Sequence, residues 1–107
     1  MPSLVQSDHW RDGGSISAVI SDGGEFRSFW LQTKQWDHPR NAGHERLFVS
    51  RGAQPEAMQD QIAISSAEEC RWLDYLLRVD VSDVEVESKE TFRQMIEVLR
   101  SRQKNSP

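Results

Sequence analysis

A pair of glycines between two strand-like segments constrains this chain more than any other feature. Residues 15–21 read SISAVIS, with Ile16, Ala18 and Ile20 alternating with serines and Val19, which is the period-2 pattern of a strand. The sequence DGGE follows at residues 22–25, and glycine readily adopts the positive φ that a tight hairpin turn requires. Residues 26–36 read FRSFWLQTKQW, and this aromatic-rich segment is predicted to be the returning strand.

Two further strands are predicted downstream, at residues 45–51 and 61–65. Ser66 then has the position of an N-cap, and Glu69 completes a capping box for a helix that runs to about Val79. The apolar stripe predicted for this helix includes Cys70. The acidic segment 80–87 is predicted to be either an extended linker or a short fifth strand.

A second helix is predicted from the cap Ser88 to about Arg102. The predicted fold class is therefore α+β: a four-stranded antiparallel meander backed on one face by helix, with a second, C-terminal amphipathic helix. The expected organisation is an N-terminal arm over residues 1–14, a single domain over residues 15–102 and a disordered tail over residues 103–107.

Length and composition limit the class of protein. A chain of 107 residues has the usual size of one domain, and it contains no run of about 18 apolar residues of the kind that crosses a membrane. The N-terminal sequence MPSLVQSDHW lacks the basic and apolar regions of an export signal. Cys70 is the single cysteine, which fits a reducing compartment. We therefore expect a cytoplasmic protein without a membrane partner.

The charge is unevenly distributed along the chain. The formal net charge is −4, yet residues 26–53 contain five basic and two acidic residues. The middle of the chain is thus locally basic within an acidic protein, whereas a typical nucleic-acid-binding domain is basic overall.

Strand periodicity assigns the side chains of the predicted sheet to two faces. Phe29 and Leu31 are predicted to face the helix. The opposite face then collects aromatic and cationic side chains, with Trp36 at the strand end: Phe26, Trp30, Lys34, Trp36, Arg46 and Phe48. Aromatic rings and cations on an open sheet suit single-stranded nucleic acid, since rings stack on unpaired bases and cations contact phosphates. The alternative is that the C-terminal helix or a second subunit buries this apolar patch.

Parts of the sequence resemble a known family. The segments FWLQTKQ at residues 29–35, RLFV at 46–49 and QIAISS followed by AEECRWLDYL at 61–76 resemble the PUR repeat and, more loosely, PC4-like and Whirly-like proteins. The resemblance implies a β-β-β-β-α unit that pairs into dimers and binds single-stranded DNA or RNA. It also implies that nucleic-acid contacts lie at Trp30, Lys34, Arg46 and Phe48.

Two other functions fit the sequence. A self-associating or protein–protein interaction module, such as an accessory protein of a bacterium or mobile element, would form a homodimer through an isologous contact. This contact would use either the aromatic sheet face or the stripe of the second helix: Phe92, Met95, Ile96 and Leu99. A small-ligand pocket lined by Trp72 and Tyr75 is a third possibility. We predict no catalytic residue, cofactor or metal, because His38 and His44 sit in one loop without metal-ligand spacing.

Overall fold

The computed structural model describes residues 1–10, 15–32, 46–52 and 66–105. Within these ranges the secondary structure consists of β1 (Ser3–Trp10), β2 (Ser15–Asp22), β3 (Glu25–Gln32), β4 (Arg46–Arg51), α1 (Ser66–Leu76) and α2 (Val86–Asn105). The strands form one antiparallel sheet in the order β1-β2-β3-β4. The predicted α+β class, with a four-stranded meander and two helices, is confirmed.

The hairpin predicted around the two glycines is formed by β2 and β3. Asp22 pairs with Glu25 at the end of the ladder, and Gly23 and Gly24 take φ values of 61° and 86°. These positive angles are costly for residues with a Cβ atom, so the glycines fix the turn and with it the register of both strands.

The first strand of the sheet comes from the segment that was expected to be a loose arm. β1 pairs with β2 from Ser3 opposite Ser21 to Trp10 opposite Ser15, with an irregularity between Leu4 and Gln6. This irregularity interrupts the period-2 pattern, and among the described side chains of β1 Leu4 is the one that enters the hydrophobic core, so the segment does not look like a strand in the sequence. The strand predicted at residues 61–65 lies outside the described residues.

The core lies between one face of the sheet and the two helices. Phe29, Leu31 and Leu47 are fully buried on that face, which confirms the predicted parity of β3 and β4. The sheet also contributes Ile16, Ala18 and Ile20, and the helical half contributes Leu73, Leu76, Val79, Phe92, Met95 and Leu99. α2 packs across β1 and β2, and α1 contacts α2.

The apolar stripe of α2 belongs to this core. Phe92, Met95 and Leu99 are 3%, 0% and 1% exposed, and Ile96 is partly buried against them. The isologous contact predicted on these four side chains is therefore corrected, because they pack inside one chain.

The ends of α2 differ from those predicted. The helix begins before Ser88, because the backbone N–H of Lys89 already donates to the carbonyl of Glu85. It continues to Asn105, so residues 103–105, which were expected to be disordered, are helical.

Two neighbouring side chains of α1 differ in burial from the prediction. Cys70, expected on the apolar stripe, is exposed, whereas Glu69, expected to act as a cap, is 2% exposed. With Leu73 and Leu76 on the buried side of α1, the helical period of 3.6 residues puts position 69 on the same side and turns position 70 away.

The outer edge of β1 is partly covered by the segment that joins the helices and by the start of α2. The N–H of Leu4 donates to the carbonyl of Asp80 over 2.8 Å, and the N–H of Asp80 donates to the carbonyl of Pro2 over 2.9 Å. Further along, the Ser88 hydroxyl lies 3.3 Å from the N–H of Ser7 and 3.4 Å from its carbonyl oxygen. Residues 80–85 are thus a linker that meets the sheet through a bridge between Asp80 and Ser3, whereas Val86 and Glu87, the end of the predicted acidic segment, belong to α2. Neither described helix is long and apolar enough to cross a membrane.

Candidate nucleic-acid interface

The sheet face that points away from the core was predicted to be the binding surface, and the structure buries part of it. Phe26 is 45% exposed, Trp30 is partly buried and Phe48 is only 8% exposed. Trp30 and Phe48 are direct cross-strand partners, so the two rings are brought together as predicted. The stacking role predicted for Phe48 is corrected, because a ring with so little exposed surface cannot receive a base.

Small polar residues on the same face are buried as well. Ser15, Ser17 and Ser28 are 5%, 3% and 1% exposed, and the Ser28 hydroxyl donates to the carbonyl of Gly52 over 2.6 Å. The chain's own atoms therefore shield this face over the middle of the sheet, while Phe26 is exposed at the hairpin end. Lys34 and Trp36 lie outside the described residues, as does the side chain of Arg46.

A second group of aromatic and cationic side chains lies on the helix side of the same hairpin end. The Arg27 guanidinium lies 4.8 Å from the ring centroid of Trp72 and 5.8 Å from that of Tyr75. Phe29 supports both rings from the core: its centroid is 5.4 Å from that of Trp72 in an edge-to-face arrangement and 6.1 Å from that of Tyr75. A cation over the face of an aromatic ring is held by the ring's quadrupole, so Arg27 has a defined position.

Tyr75 is fixed at its polar end by the turn of the hairpin. Its hydroxyl donates to Asp22 Oδ2 over 2.9 Å. Partial burial, and secondarily this hydrogen bond, raise the pKa of Tyr75 from 10.0 to about 12, because both favour the neutral phenol.

Tyr75 offers a direct test of this geometry, since it is the single tyrosine of the chain. We expect absorbance titration of phenolate formation to give a pKa near 12 in the folded protein and near 10 after denaturation. Between these values the unfolded chain loses a proton that the folded chain keeps, so stability falls as the pH rises from about 10 to about 12. Asp22→Ala should lower the pKa of Tyr75, because the hydrogen bond to Asp22 and the charge of Asp22 both raise it; a folded pKa of 10 in the unaltered protein would contradict the packing.

Three more arginines surround this group. Arg51 is opposite Arg27 in the β3–β4 ladder, and Arg71 and Arg78 line a cleft with Tyr75 on the exposed side of α1. We call this set the arginine–aromatic surface: Arg27, Arg51, Arg71, Arg78, Trp72 and Tyr75. Acidic groups are present as well, since Asp22 and Asp74 line the same cleft.

The sequence contains a signal for this surface that was missed by assigning the binding residues to the opposite sheet face. Arg27 has the same parity as Phe29, so the assignment that sends Phe29 to the helix also sends Arg27 there. Trp72 and Tyr75 are three positions apart on α1 and therefore share a face. Both are predicted to line a possible ligand pocket; their rings pack on Phe29 on the core side and line a small cleft on the outer side.

The described part of the chain contains no cluster of three or more histidine, cysteine or acidic side chains that could hold a metal. The histidines considered in the sequence, His38 and His44, lie outside the described residues.

Comparison with known proteins finds no similar protein. The chain matches no family model, and searches of curated proteins and of solved structures return no significant similarity. The resemblance to the PUR repeat therefore stays a prediction.

Proposed function

We propose that this chain is a non-catalytic module that binds single-stranded DNA or RNA through the arginine–aromatic surface. The observation that carries the proposal is the stacked position of Arg27 over Trp72 and Tyr75. Rings provide stacking surfaces for unpaired bases of any sequence, and adjacent guanidiniums contact the phosphates between them. The exposed ring of Phe26, next to Arg27 in β3, extends the surface around the hairpin end. The exposed thiol of Cys70 fits a cytoplasmic setting for this function.

The charge distribution also favours a local contact. An acidic chain with net charge −4 repels a polyanion at long range, so affinity must come from a short segment held by closely placed arginines. Four phosphate contacts predict a slope of about −2 to −3 in log K against log salt for a single strand.

The test is fluorescence anisotropy with labelled oligothymidine and oligouridine across a range of salt concentrations. The double variant Arg51→Ala/Arg78→Ala removes two exposed arginines of the surface, and we expect the slope to become shallower by about 1.4. The matched control Arg93→Ala/Arg100→Ala removes two exposed arginines of α2 and changes the net charge equally. Equal slopes for the two double variants, or no binding at low salt, would contradict the proposal.

A second candidate is a protein–protein contact on the same surface. Its specific support is the mixture of Asp22 and Asp74 with Arg71 and Arg78 along one cleft, together with the enrichment of tryptophan, tyrosine and arginine at binding hot spots. The predicted homodimer is one form of it. Sedimentation at tens of micromolar tests that form: a dimer that Arg71→Glu dissociates supports it, and a monomer excludes it at that concentration.

A further inference from the structure

Four side chains at successive turns of α1 bound a small cleft beside the arginine–aromatic surface. Glu68, Arg71, Trp72 and Tyr75 occupy positions i, i+3, i+4 and i+7, which form one face of a helix. The cleft has a volume of about 260 Å³. This is below the roughly 300–1,000 Å³ of pockets that enclose drug-sized ligands, so the open cleft suits a single planar group.

The walls of the cleft are chemically suited to an aromatic guest. Trp72 and Tyr75 are partly exposed, and their rings meet edge to face with centroids 5.6 Å apart. Phe29 packs on both rings from the core, and the Tyr75 hydroxyl is held by Asp22. The rings are therefore ordered before binding, which lowers the entropic cost of stacking a guest against them.

Charge at the rim of the cleft selects the kind of guest. Arg71 is exposed and lines both this cleft and the neighbouring one that contains Arg78. Glu68 lines the same cleft, so the rim carries both charges and an anionic group attached to the planar guest is expected on the side of Arg71 and Arg78. In a single strand each base is flanked by phosphates, one of which can take that position.

We propose that this cleft holds one unpaired base of the bound strand, with the Arg71 guanidinium on an adjacent phosphate. This inference rests on the proposed function and narrows it to a defined subsite. It predicts that one base contributes strongly to affinity, whereas the neighbouring nucleotides are held mainly through their phosphates.

The first experiment leaves the protein unchanged. A short oligothymidine is compared with an oligomer of equal length and charge in which the bases are replaced by abasic sites. Stacking of one base at about 1–3 kcal/mol predicts affinity that is about 5- to 150-fold weaker without bases. Photocrosslinking with a 5-iodouracil oligomer, mapped by mass spectrometry, should modify Trp72 or Tyr75.

Variants then locate the contact. Arg71→Ala and Trp72→Leu should each weaken oligothymidine binding, and Trp72→Leu should also abolish most of the difference between the normal and abasic oligomers. Arg100→Ala is the control for charge, and thermal unfolding of each variant verifies that it is folded. Tyr75→Phe keeps the stacking ring and should retain the crosslink.

The outcomes separate this inference from the function on which it rests. Salt-dependent binding with equal affinity for normal and abasic oligomers, or crosslinks confined to other residues, would overturn the base subsite and leave the nucleic-acid function in place. Absence of binding by either oligomer at low salt would overturn both.

Discussion

Phe29→Ala should destabilise the protein by about 3–5 kcal/mol, which is the usual cost of removing a fully buried phenylalanine ring. Phe29 is 0% exposed, and its ring contacts both Trp72 and Tyr75. The substitution therefore leaves a cavity where β3 meets α1 and removes the support of both aromatic rings. Urea unfolding measures the loss as a lower midpoint with an unchanged m value.

The control for this prediction lies three residues earlier in the same strand. Phe26 has the opposite parity and is 45% exposed, so Phe26→Ala should change stability by no more than about 0.5 kcal/mol. Similar losses in the two variants would mean that the face assignment of β3 is wrong.

Met95→Asp should be the second severe substitution. Met95 is 0% exposed in the middle of α2, so a carboxylate there has to be neutralised on folding. Protonating an aspartate of ordinary pKa 3.9 costs about 1.4 kcal/mol per pH unit, or about 4 kcal/mol at pH 7 and about 1.5 kcal/mol at pH 5. Lost packing adds to both values.

The pH dependence makes this prediction specific. The pKa of the buried Asp at position 95 is raised in the folded state, so its destabilising effect grows as the pH rises above the unfolded value. Chemical unfolding of Met95→Asp and of the original protein at pH 5 and pH 7 gives the two differences. Gln94→Asp, on the exposed side of the same helix, should lie within about 0.5 kcal/mol of the original protein at both pH values. A Met95→Asp penalty that does not increase with pH would contradict the burial of this position.

The parts of the fold that could be predicted are those with a strong local pattern. The β2–β3 hairpin follows from two glycines and clear alternation, and α2 follows from a stripe of helical period. β1 could not be predicted, because Leu4 is the one core residue among its described side chains and its register is irregular. Its bonds to Asp80 join residues far apart in the sequence, which no local pattern encodes.

The candidate site, too, could be predicted only as far as local patterns define it. Parity correctly separated Phe26 from Phe29, but parity does not tell which face the rest of the chain covers. Phe48 has the predicted orientation and is nevertheless buried. The stacking of Arg27 on Trp72 and Tyr75 joins a strand to a helix about 45 residues away, and it depends on how α1 packs on the sheet.

The hydrogen bonds that join the outer edge of β1 to Asp80 and Ser88 have a consequence for biosynthesis. β1 is synthesised before the residues that bond to its outer side, Asp80 and Ser88, and the contact with Ser88 spans 81 residues. These bonds therefore form only after the helical half has left the ribosome. During this interval the unsatisfied backbone groups of β1 can pair with another nascent chain. Contacts of such long sequence separation also slow folding. We therefore expect the outer side of β1 to be completed late in folding, after the helical half has formed.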